Sequence, residues 1–367
     1  MNGVRRIGIL TGGGDCPGLN AVIRSAVLAA TRRGWEIVGF MDGYEGLLDP
    51  VRYQQLDLHS TDGIAHLGGT ILGTTNRGRF ASKIAKGKRA LIDKSVIDEA
   101  KRTLENLDID GLICVGGDGS LSAALQLYKA GIRLVGVPKT IDNDISGTST
   151  SFGFDSAVDC VVDALDRLHT TAQSHKRIMV VEVMGRYAGW IALYGGFAGG
   201  AHAILVPEIP FHYEPLARLI QEREKKGYFS TMIVVAEGAH EKGKKYVVQG
   251  KAGSKTNEVR LGGIAEVVSH QLASMTGKET RHVVLGHLQR GGNPTALDRI
   301  LGARFGVGAV DLLARGKFGH MVTYQNYRID SISIEHAVRT LKLIEPRTNQ
   351  MIDAARQMGI SFGDEAA

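Results

Sequence analysis

The chain has 367 residues, which predicts about two domains, and its hydrophobic fraction of 43% and charged fraction of 22% are typical of soluble globular proteins. No run of about 18 apolar residues predicts a membrane span, and three widely spaced cysteines exclude a disulfide framework and favour a reducing, cytoplasmic setting. The net charge of +6 comes from dispersed basic residues with few aromatic neighbours, which favours phosphorylated metabolites over nucleic acid as ligands.

The first element is a strand that leads through a glycine-rich turn into a helix. Residues 6–10 are apolar and predict the strand, residues 11–18 (TGGGDCPG) form the turn, and residues 20–33 have helical periodicity. Backbone N–H groups in such a turn, together with the helix dipole, can bind an anion. The spacing matches neither GxGxxG nor GxxxxGK[ST], so a simple tight turn and a phosphate site are both compatible with it.

Two further glycine-rich loops follow. Residues 73–79 (GTTNRGR) suit a phosphate chain, although a solvated loop is the commoner case. Residues 116–120 (GGDGS) follow a predicted buried strand at 112–115 and open a helix. The glycines allow close approach of the backbone to phosphates, and the carboxylate of Asp118 can hold Mg²⁺ together with waters.

The loop at residues 137–144 (VPKTIDND) follows an apolar run that predicts a buried strand, which the proline ends. Open α/β sheets bind ligands at the carboxyl ends of their strands. Asp142 and Asp144 are two residues apart, so one can face an acceptor hydroxyl and the other a metal. We predict that this loop supplies the base of a phosphoryl transfer.

The second half of the chain repeats the alternation of strands and helices, which predicts α/β units with two parallel sheets. The expected strands lie at residues 178–183, 203–206, 231–236, 282–285 and 321–324. The expected helices lie at residues 155–174, 214–226, 260–275, 296–315, 334–344 and 349–358. We interpret four arginines as following separate strands, where they can grip an anionic substrate, namely Arg177, Arg186, Arg281 and Arg290.

Taken together, these motifs resemble the 6-phosphofructokinase family over nearly the whole chain. The resemblance rests on residues 13–20 (GGDCPGLN), 42–44 (DGY), 116–120, 140–144 (TIDND), 181–186 (VEVMGR) and 286–292 (GHLQRGG). It implies an α/β fold of two doubly wound, Rossmann-like, three-layer domains with a cleft between them. Residues 1–153 plus about 289–339 would bind the donor nucleotide, and residues of about 154–288 plus 340–367 would bind fructose 6-phosphate.

The resemblance also implies a reaction and a role for each matching residue. The expected reaction is ATP-dependent phosphorylation of fructose 6-phosphate to fructose 1,6-bisphosphate in glycolysis, with Mg²⁺ on the donor. Asp142 matches the general base, and Thr140, Asp144 and Arg186 match its catalytic neighbours. The substrate contacts implied are Thr140, Ile141, Asp142, Arg177, Met184, Gly185, Arg186, Glu237, Arg281, His287, Leu288, Gln289 and Arg290. The donor contacts implied are Gly14, Tyr44, Arg77, Gly78, Gly117, Asp118, Gly119 and Ser120, with Asp118 as the metal ligand.

Two of these residues imply an oligomer. Arg177 and Arg281 match arginines that the family supplies from a neighbouring subunit, so a homotetramer or homodimer is expected. The family also has a bridging arginine before its second glycine-rich stretch. Arg77 is the nearest candidate for it here, but Asn76 aligns with that position equally well.

The two residues that mark the donor disagree. Lys139 stands where pyrophosphate-using members have lysine, whereas Gly119 stands where ATP-using members leave room for a nucleotide. This mixed pair resembles the mixed-substrate subgroup. We give Gly119 more weight, because a carboxylate there would repel the α-phosphate while a flexible lysine can swing away or pair with it. A surface lysine indifferent to the donor, and a pyrophosphate-dependent enzyme, remain alternatives.

Two other classes are alternatives, namely a NAD or lipid kinase and a catalytically idle regulatory paralogue or metabolite-binding module. NAD and lipid kinases share the GGDG loop but lack counterparts of residues 140–144 and 287–292. A catalytically idle regulatory paralogue would be expected to have lost Asp142, Asp118 or Arg290, and all three are present.

Overall fold

The computed structural model describes residues 4–75, 78–80, 84–85, 88–89, 91–251 and 259–365. The chain divides into two units. The first contains Met1–Ile141, Ile145–Ser156 and Arg290–Leu341. The second contains Asp142–Asp144, Ala157–Gln289 and Lys342–Ala367.

Strands and helices alternate through most of the described residues. The strands are β1 Arg6–Gly12, β2 Glu36–Phe40, β3 Tyr53–Leu56, β4 Ile84–Ala85, β5 Lys88–Arg89, β6 Gly111–Gly116, β7 Leu134–Pro138, β8 Ile178–Val183, β9 Ala203–Leu205, β10 Thr231–Ala236, β11 Val248–Lys251, β12 Val259–Leu261, β13 Thr280–Val284, β14 His320–Gln325 and β15 Arg328–Ser333. The helices are α1 Leu19–Thr31, α2 Lys94–Asn106, α3 Asp118–Lys129, α4 Phe154–His175, α5 Trp190–Ala198, α6 Tyr213–Lys225, α7 Ile264–Thr276, α8 Ala296–Ala314, α9 Ile334–Ala337 and α10 Gln350–Gln357.

The first unit is built on a seven-stranded sheet of order β15-β14-β7-β6-β1-β2-β3. The five inner strands, from β14 through β7, β6 and β1 to β2, each pair parallel with the next. The edge strands β3 and β15 pair antiparallel with their neighbours. Every residue of β6 and β7 is buried, which explains why both strands read as continuous apolar runs. In this sheet β1 and β6 are neighbours, with Gly12 opposite Gly116, so the turns that follow them start side by side.

The second unit has a four-stranded, fully parallel sheet of order β13-β8-β10-β9. Its core includes Val180, Leu205, Ile233 and Leu272, all without exposed surface. Helix α7 begins against β8, where the buried carboxylate of Glu182 accepts hydrogen bonds from the backbone at the start of that helix. The prediction of α/β units with two mainly parallel sheets is confirmed.

Some predicted elements were wrong in extent. The helix expected at residues 334–344 is only α9, because the chain beyond it turns to form an antiparallel bridge between Leu341 and Ile145. The helix expected from residue 260 starts at Ile264, since β12 pairs with β11 instead. The edge strands β3 and β15 and helix α5 were not predicted. None of the helices in the described residues has the length and apolar character needed to cross a bilayer.

Candidate active site

The glycine turn after β1 is held by the loop that contains residues 73–75. Gly13 has φ 82°, its N–H donates to the carbonyl of Thr75 at 3.1 Å, and its own carbonyl accepts from Thr74 Oγ1 at 2.6 Å. Thr11 Oγ1 donates to the carbonyl of Gly73 at 2.8 Å. The structure therefore brings together two glycine-rich segments that are about 60 residues apart in the sequence.

The continuation of that second loop packs on Glu45. A Cβ on Gly78 would lie 2.3 Å from Glu45 Oε1, which also accepts a 2.7 Å hydrogen bond from the N–H of Arg79. Arg79 itself pairs with Glu99 at 2.9 Å. Arg77, the predicted bridging arginine, lies outside the described residues.

The last glycines of β1 and β6 pack closely against the side chain of Ser120. A Cβ on Gly12 would lie 2.9 Å from Ser120 Oγ, and one on Gly116 would lie 2.3 Å from Ser120 Cβ. Gly119 differs, because a Cβ there would meet none of the described residues within 4 Å. Asp118 is the first residue of α3, so it lies at a helix N-terminus, directly before Gly119 in the chain.

Two cationic side chains converge on the turn after β1. Lys139 is 4% exposed, and its Nζ donates to the carbonyl of Gly14. Arg290 Nη1 donates to the carbonyl of Asp15 at 3.2 Å, and a Cβ on Gly14 would lie 2.8 Å from that nitrogen. The alternative of a surface lysine at position 139 is wrong, because the side chain is buried and bonded to the turn.

Tyr44 holds the start of α3 through a hydrogen bond. Its hydroxyl donates to the carbonyl of Ser120 at 2.8 Å, and its ring lies 5.2 Å from the ring of Phe80. The side chain is 5% exposed, and burial raises the pKa of the phenol well above its usual value. Its hydroxyl thus has a protein partner that helps position Ser120.

The loop after β7 contains a left-handed residue between its two carboxylates. Asn143 has φ 50° and is buried, while Asp142 and Asp144 on either side are half-buried. Lys342 Nζ donates to Asn143 Oδ1 at 2.9 Å, and Lys342 N–H donates to the carbonyl of Asp144 at 2.8 Å. Burial lowers the pKa of Lys342 to about 8, although nearby Asp144 acts in the opposite direction. Sequence reasoning missed this lysine, which belongs to none of the motifs.

The preceding part of the same loop is fixed in the first unit. Ser151 Oγ donates to the carbonyl of Thr140 at 2.8 Å. Thr140 is 9% exposed and Ile141 is 1% exposed. The N–H of Lys139 donates to the carbonyl of Gly116 at 3.0 Å, which extends the pairing of β7 with β6 by one residue. The backbone leading to Asp142 is therefore held on both sides.

In the second unit, three loops at the carboxyl ends of β8, β10 and β13 are joined to one another. The N–H of Gly238 donates to the carbonyl of Gly185 at 3.1 Å. Gln289 Oε1 accepts from the N–H of Met184 at 3.2 Å, and its Nε2 donates to the carbonyl of Gly286 at 3.1 Å. Gln289 is fully buried, so its side chain joins these loops from the interior instead of facing a ligand.

The side chains at these strand ends include several that face outward. His287 is exposed, Leu288 is 68% exposed, and Glu237 is half-buried. The guanidinium of Arg186 lies 5.1 Å from the ring of Tyr187, and its buried Nε has no hydrogen-bond partner among the described residues. A buried N–H donor without a partner is unfavourable, and an anionic ligand at this loop would relieve that cost.

The positions of Arg177 and Arg281 correct the sequence interpretation. Both stand at the amino ends of strands, Arg177 immediately before β8 and Arg281 as the second residue of β13. Both pair with Glu279 Oε1, at 2.8 Å and 2.7 Å, and these ion pairs help to lower the pKa of Glu279. Arg186 follows the carboxyl end of β8. Because β8 spans roughly 20 Å, the two arginines lie at the other end of the strands from Arg186.

The donor set for a metal is sparse in the described part of the chain. It contains no group of three or more His, Cys, Asp or Glu side chains arranged to hold a metal ion. Mg²⁺ typically binds through one or two carboxylates, water and substrate phosphates. The carboxylate of Asp118, flanked by glycines at the start of α3, fits a site of that kind.

Comparisons with known proteins match most of the length of the chain. A family model described as phosphofructokinase matches residues 6–313. The chain is 47% identical to the ATP-dependent 6-phosphofructokinase of Chloroflexus aurantiacus, over 98% of both chains. It is 46% identical to the pyrophosphate–fructose 6-phosphate 1-phosphotransferase of Amycolatopsis methanolica, over 93% of this chain and 96% of that relative.

The fold has a counterpart among solved structures. Pichia pastoris phosphofructokinase in the T-state matches with a TM-score of 0.80 and 28% identity over 98% of this chain. The match covers 37% of the Pichia chain, which is therefore much longer. This likeness confirms the predicted fold of doubly wound, Rossmann-like α/β domains. From the family model, the curated relatives and the fold together, the chain belongs to the phosphofructokinase family.

Proposed function

We propose that the chain is an ATP-dependent 6-phosphofructokinase, a phosphotransferase that acts on an alcohol group. It would transfer the γ-phosphoryl group of ATP to the 1-hydroxyl of fructose 6-phosphate, giving fructose 1,6-bisphosphate and ADP in glycolysis. The observation that carries the choice of donor is the open space at Gly119 beside Asp118 and the N-terminus of α3. A nucleotide needs this room for its inner phosphates, and backbone N–H groups at a helix start favour phosphate.

The proposed mechanism begins with the sugar hydroxyl. The carboxylate of Asp142 accepts the proton of the 1-hydroxyl while the new O–P bond forms and the bond from the γ-phosphorus to its bridging oxygen breaks. Thr140, Asp144 and Arg186 would position and stabilise the transferring group. Mg²⁺, held by Asp118 and the donor phosphates, would supply charge neutralisation when bound.

Further residues would bind the two substrates. The sugar and its 6-phosphate would contact Ile141, Met184, Gly185, Glu237, His287, Leu288 and Arg290. The donor would contact Gly14, Arg77, Gly78, Gly117 and Ser120. Arg186, with its unpartnered buried Nε, has the strongest structural support among the anion-binding side chains. Tyr44 and Gln289 would act indirectly, because their polar atoms bond the backbone of the loops.

Arg177 and Arg281 would complete the substrate site of a neighbouring subunit. Their place at the amino ends of β8 and β13 supports this, because roughly 20 Å of strand keeps them from a phosphate that Arg186 binds. We therefore propose a homodimer or homotetramer that works in the cytoplasm. Glu279 would hold the pair of arginines in place before the phosphate arrives.

A pyrophosphate-dependent phosphotransferase is the second candidate. Lys139 favours it, as does the likeness to the Amycolatopsis relative. In the structure, however, the Lys139 ammonium is already bonded to the carbonyl of Gly14. A lysine held in this way adds positive charge to the turn for either donor, so it discriminates less than an open Gly119 does.

Initial rates with fructose 6-phosphate and Mg²⁺ test the proposal, with ATP and pyrophosphate given in parallel. We expect turnover with ATP at least about tenfold above that with pyrophosphate, which is about 1.4 kcal/mol of transition-state discrimination. The Gly119→Asp variant should lose ATP turnover selectively, because the new carboxylate repels the nucleotide. Turnover with pyrophosphate alone would establish the second candidate, and the absence of both would reject the proposed function.

A further inference from the structure

We propose that Lys342 is a positioning residue for the catalytic loop, and that its bond to the Asn143 amide holds Asn143 in the left-handed conformation that orients Asp142 and Asp144. The inference rests on the proposed function of Asp142 as the base. Lys342 lies about 200 positions beyond the loop in the sequence, in the segment between α9 and α10.

The loop conformation is one that a side-chain contact must favour. Asn143 has φ 50°, a region that non-glycine residues seldom occupy, although asparagine is among the more tolerant. A change at this one residue would reorient the two carboxylates that flank it. Since Lys342 binds both the Asn143 side chain and the Asp144 carbonyl, it restrains the loop at two points.

Lys342 is itself fixed by groups outside the loop. Trp190 Nε1 donates to its carbonyl at 2.8 Å, and its ammonium lies 5.6 Å from the centre of the Trp190 ring. Two residues further on, the N–H of Ile344 donates to Glu208 at 3.0 Å, and the same carboxylate accepts from the N–H of Gly189 at 3.1 Å. The segment is thus attached to the start of α5. Because Lys342 is held there, its hydrogen bond to Asn143 restrains the loop relative to α5.

The segment also continues along the loop on its other side. Ile145 and Leu341 form an antiparallel bridge, and Ser146 Oγ donates to the carbonyl of Thr340 at 2.6 Å. Residues 143–146 therefore run beside residues 340–342 over their whole length. The ammonium of Lys342 adds a bond to the Asn143 side chain, at the left-handed residue of the loop.

Kinetics of three variants test this role. In Lys342→Met we expect kcat to fall about tenfold or more, with KM for both substrates within about threefold, because the loop loses its orientation but its contacts remain available. Lys342→Arg can still donate to Asn143 and stack on Trp190, so it should recover most of kcat. Lys129→Met, which removes the exposed ion pair with Glu335, is the matched control and should keep wild-type kcat.

A second set of measurements keeps the inference testable if Lys342→Met is unstable. Asn143→Gly permits the left-handed backbone but removes the amide, so kcat should fall as in Lys342→Met. The double variant should be no worse than either single one, because both remove the same bond. Hydrogen–deuterium exchange of residues 139–146 should be faster in Lys342→Met and normal in Lys342→Arg.

The results separate this inference from the proposed function. Wild-type protein without fructose 6-phosphate kinase activity would reject the function, while the exchange data would still report on the loop. An active wild type with kcat of Lys342→Met within about twofold of it, or losses in the double variant that simply multiply, would overturn the positioning role.

Discussion

The loops at the carboxyl ends of the strands differ between the two units in whether backbone or side chains form their surface. In the seven-stranded unit, the turns after β1 and β6 are glycine-rich and pack backbone against Ser120. In the four-stranded unit, the loops after β8 and β13 carry Arg186 and His287, joined from beneath by buried Gln289. The first arrangement is a closely packed turn backbone whose carbonyls bind Lys139 and Arg290, whereas the second carries the side chains of Arg186 and His287 on its loops.

The difference shows how each unit would recognise its ligand and how each would fail. A backbone site depends on close approach, so adding even one methyl group disturbs it. A side-chain site depends on particular functional groups, so truncation removes binding or chemistry while the fold persists. Loss of a single functional group and addition of a single methyl group therefore distinguish the two kinds of site.

Replacement of the proposed base should have the largest effect. Asp142→Ser keeps a small polar side chain in the loop but removes the carboxylate, so we expect kcat to fall by ~10²–10⁴ with substrate binding largely intact. Steady-state rates and fructose 6-phosphate binding measured separately give both quantities. Asp163→Ser, at an exposed carboxylate of α4, is the control. A kcat near the wild-type value would remove Asp142 from the role of base.

A glycine pair tests the backbone site. In Gly116→Ala the new methyl group would lie 2.3 Å from Ser120 Cβ, whereas in Gly119→Ala it would have no described residue within 4 Å. We expect Gly116→Ala to lower the free energy of unfolding by about 1–3 kcal/mol through overpacking. It should also raise KM for ATP, because the two turns move apart. The Tm of Gly119→Ala should stay within about 1–2 °C of wild type, since surface changes are small. Equal Tm values for the two variants would contradict the packing described around Ser120.

Much of the fold could be predicted because its interior strands are apolar runs bounded by charged residues or glycine. Strands β8 and β10 occupy the predicted residues 178–183 and 231–236. The edge strands β3 (YQQL) and β15 (RIDSIS) escaped prediction, because edge strands need no continuous apolar run and their polar sequences resemble loops.

The site was predicted less completely, because motifs identify loops but not their supports. The strand near Arg281 was expected to start at residue 282, which already put Arg281 before it, so the interpretation that this arginine follows a strand did not fit the predicted bounds. Pairing with β8 sets Arg281 opposite Met179, near the amino ends of both strands. Only long-range pairing determines this register. Lys342 gave no local signal either, since its role comes from residues far away in the sequence.

Each unit contains a buried carboxylate that accepts hydrogen bonds from backbone N–H groups. Glu182 in the second unit accepts hydrogen bonds from the backbone N–H groups that begin α7. Asp298 in the first unit has no exposed surface and accepts from the N–H and hydroxyl of Ser156, at 2.8 Å and 2.6 Å. Burial raises the pKa of Asp298 to about 6, against the opposing effect of the Ser156 hydrogen bonds.

This raised pKa makes stability depend on pH in a defined direction. Between the unfolded pKa of about 3.9 and the folded pKa of about 6, the folded state binds more protons, so the Asp298 contribution to stability is greatest below pH 4 and declines as the pH rises to 6. Asp298→Asn removes this titration. Relative to that variant, wild type should lose about 2–3 kcal/mol between pH 4 and pH 7, measured as the difference in Tm at each pH so that other groups cancel. A Tm difference that stays constant over this range would show that Asp298 ionises normally in the folded protein.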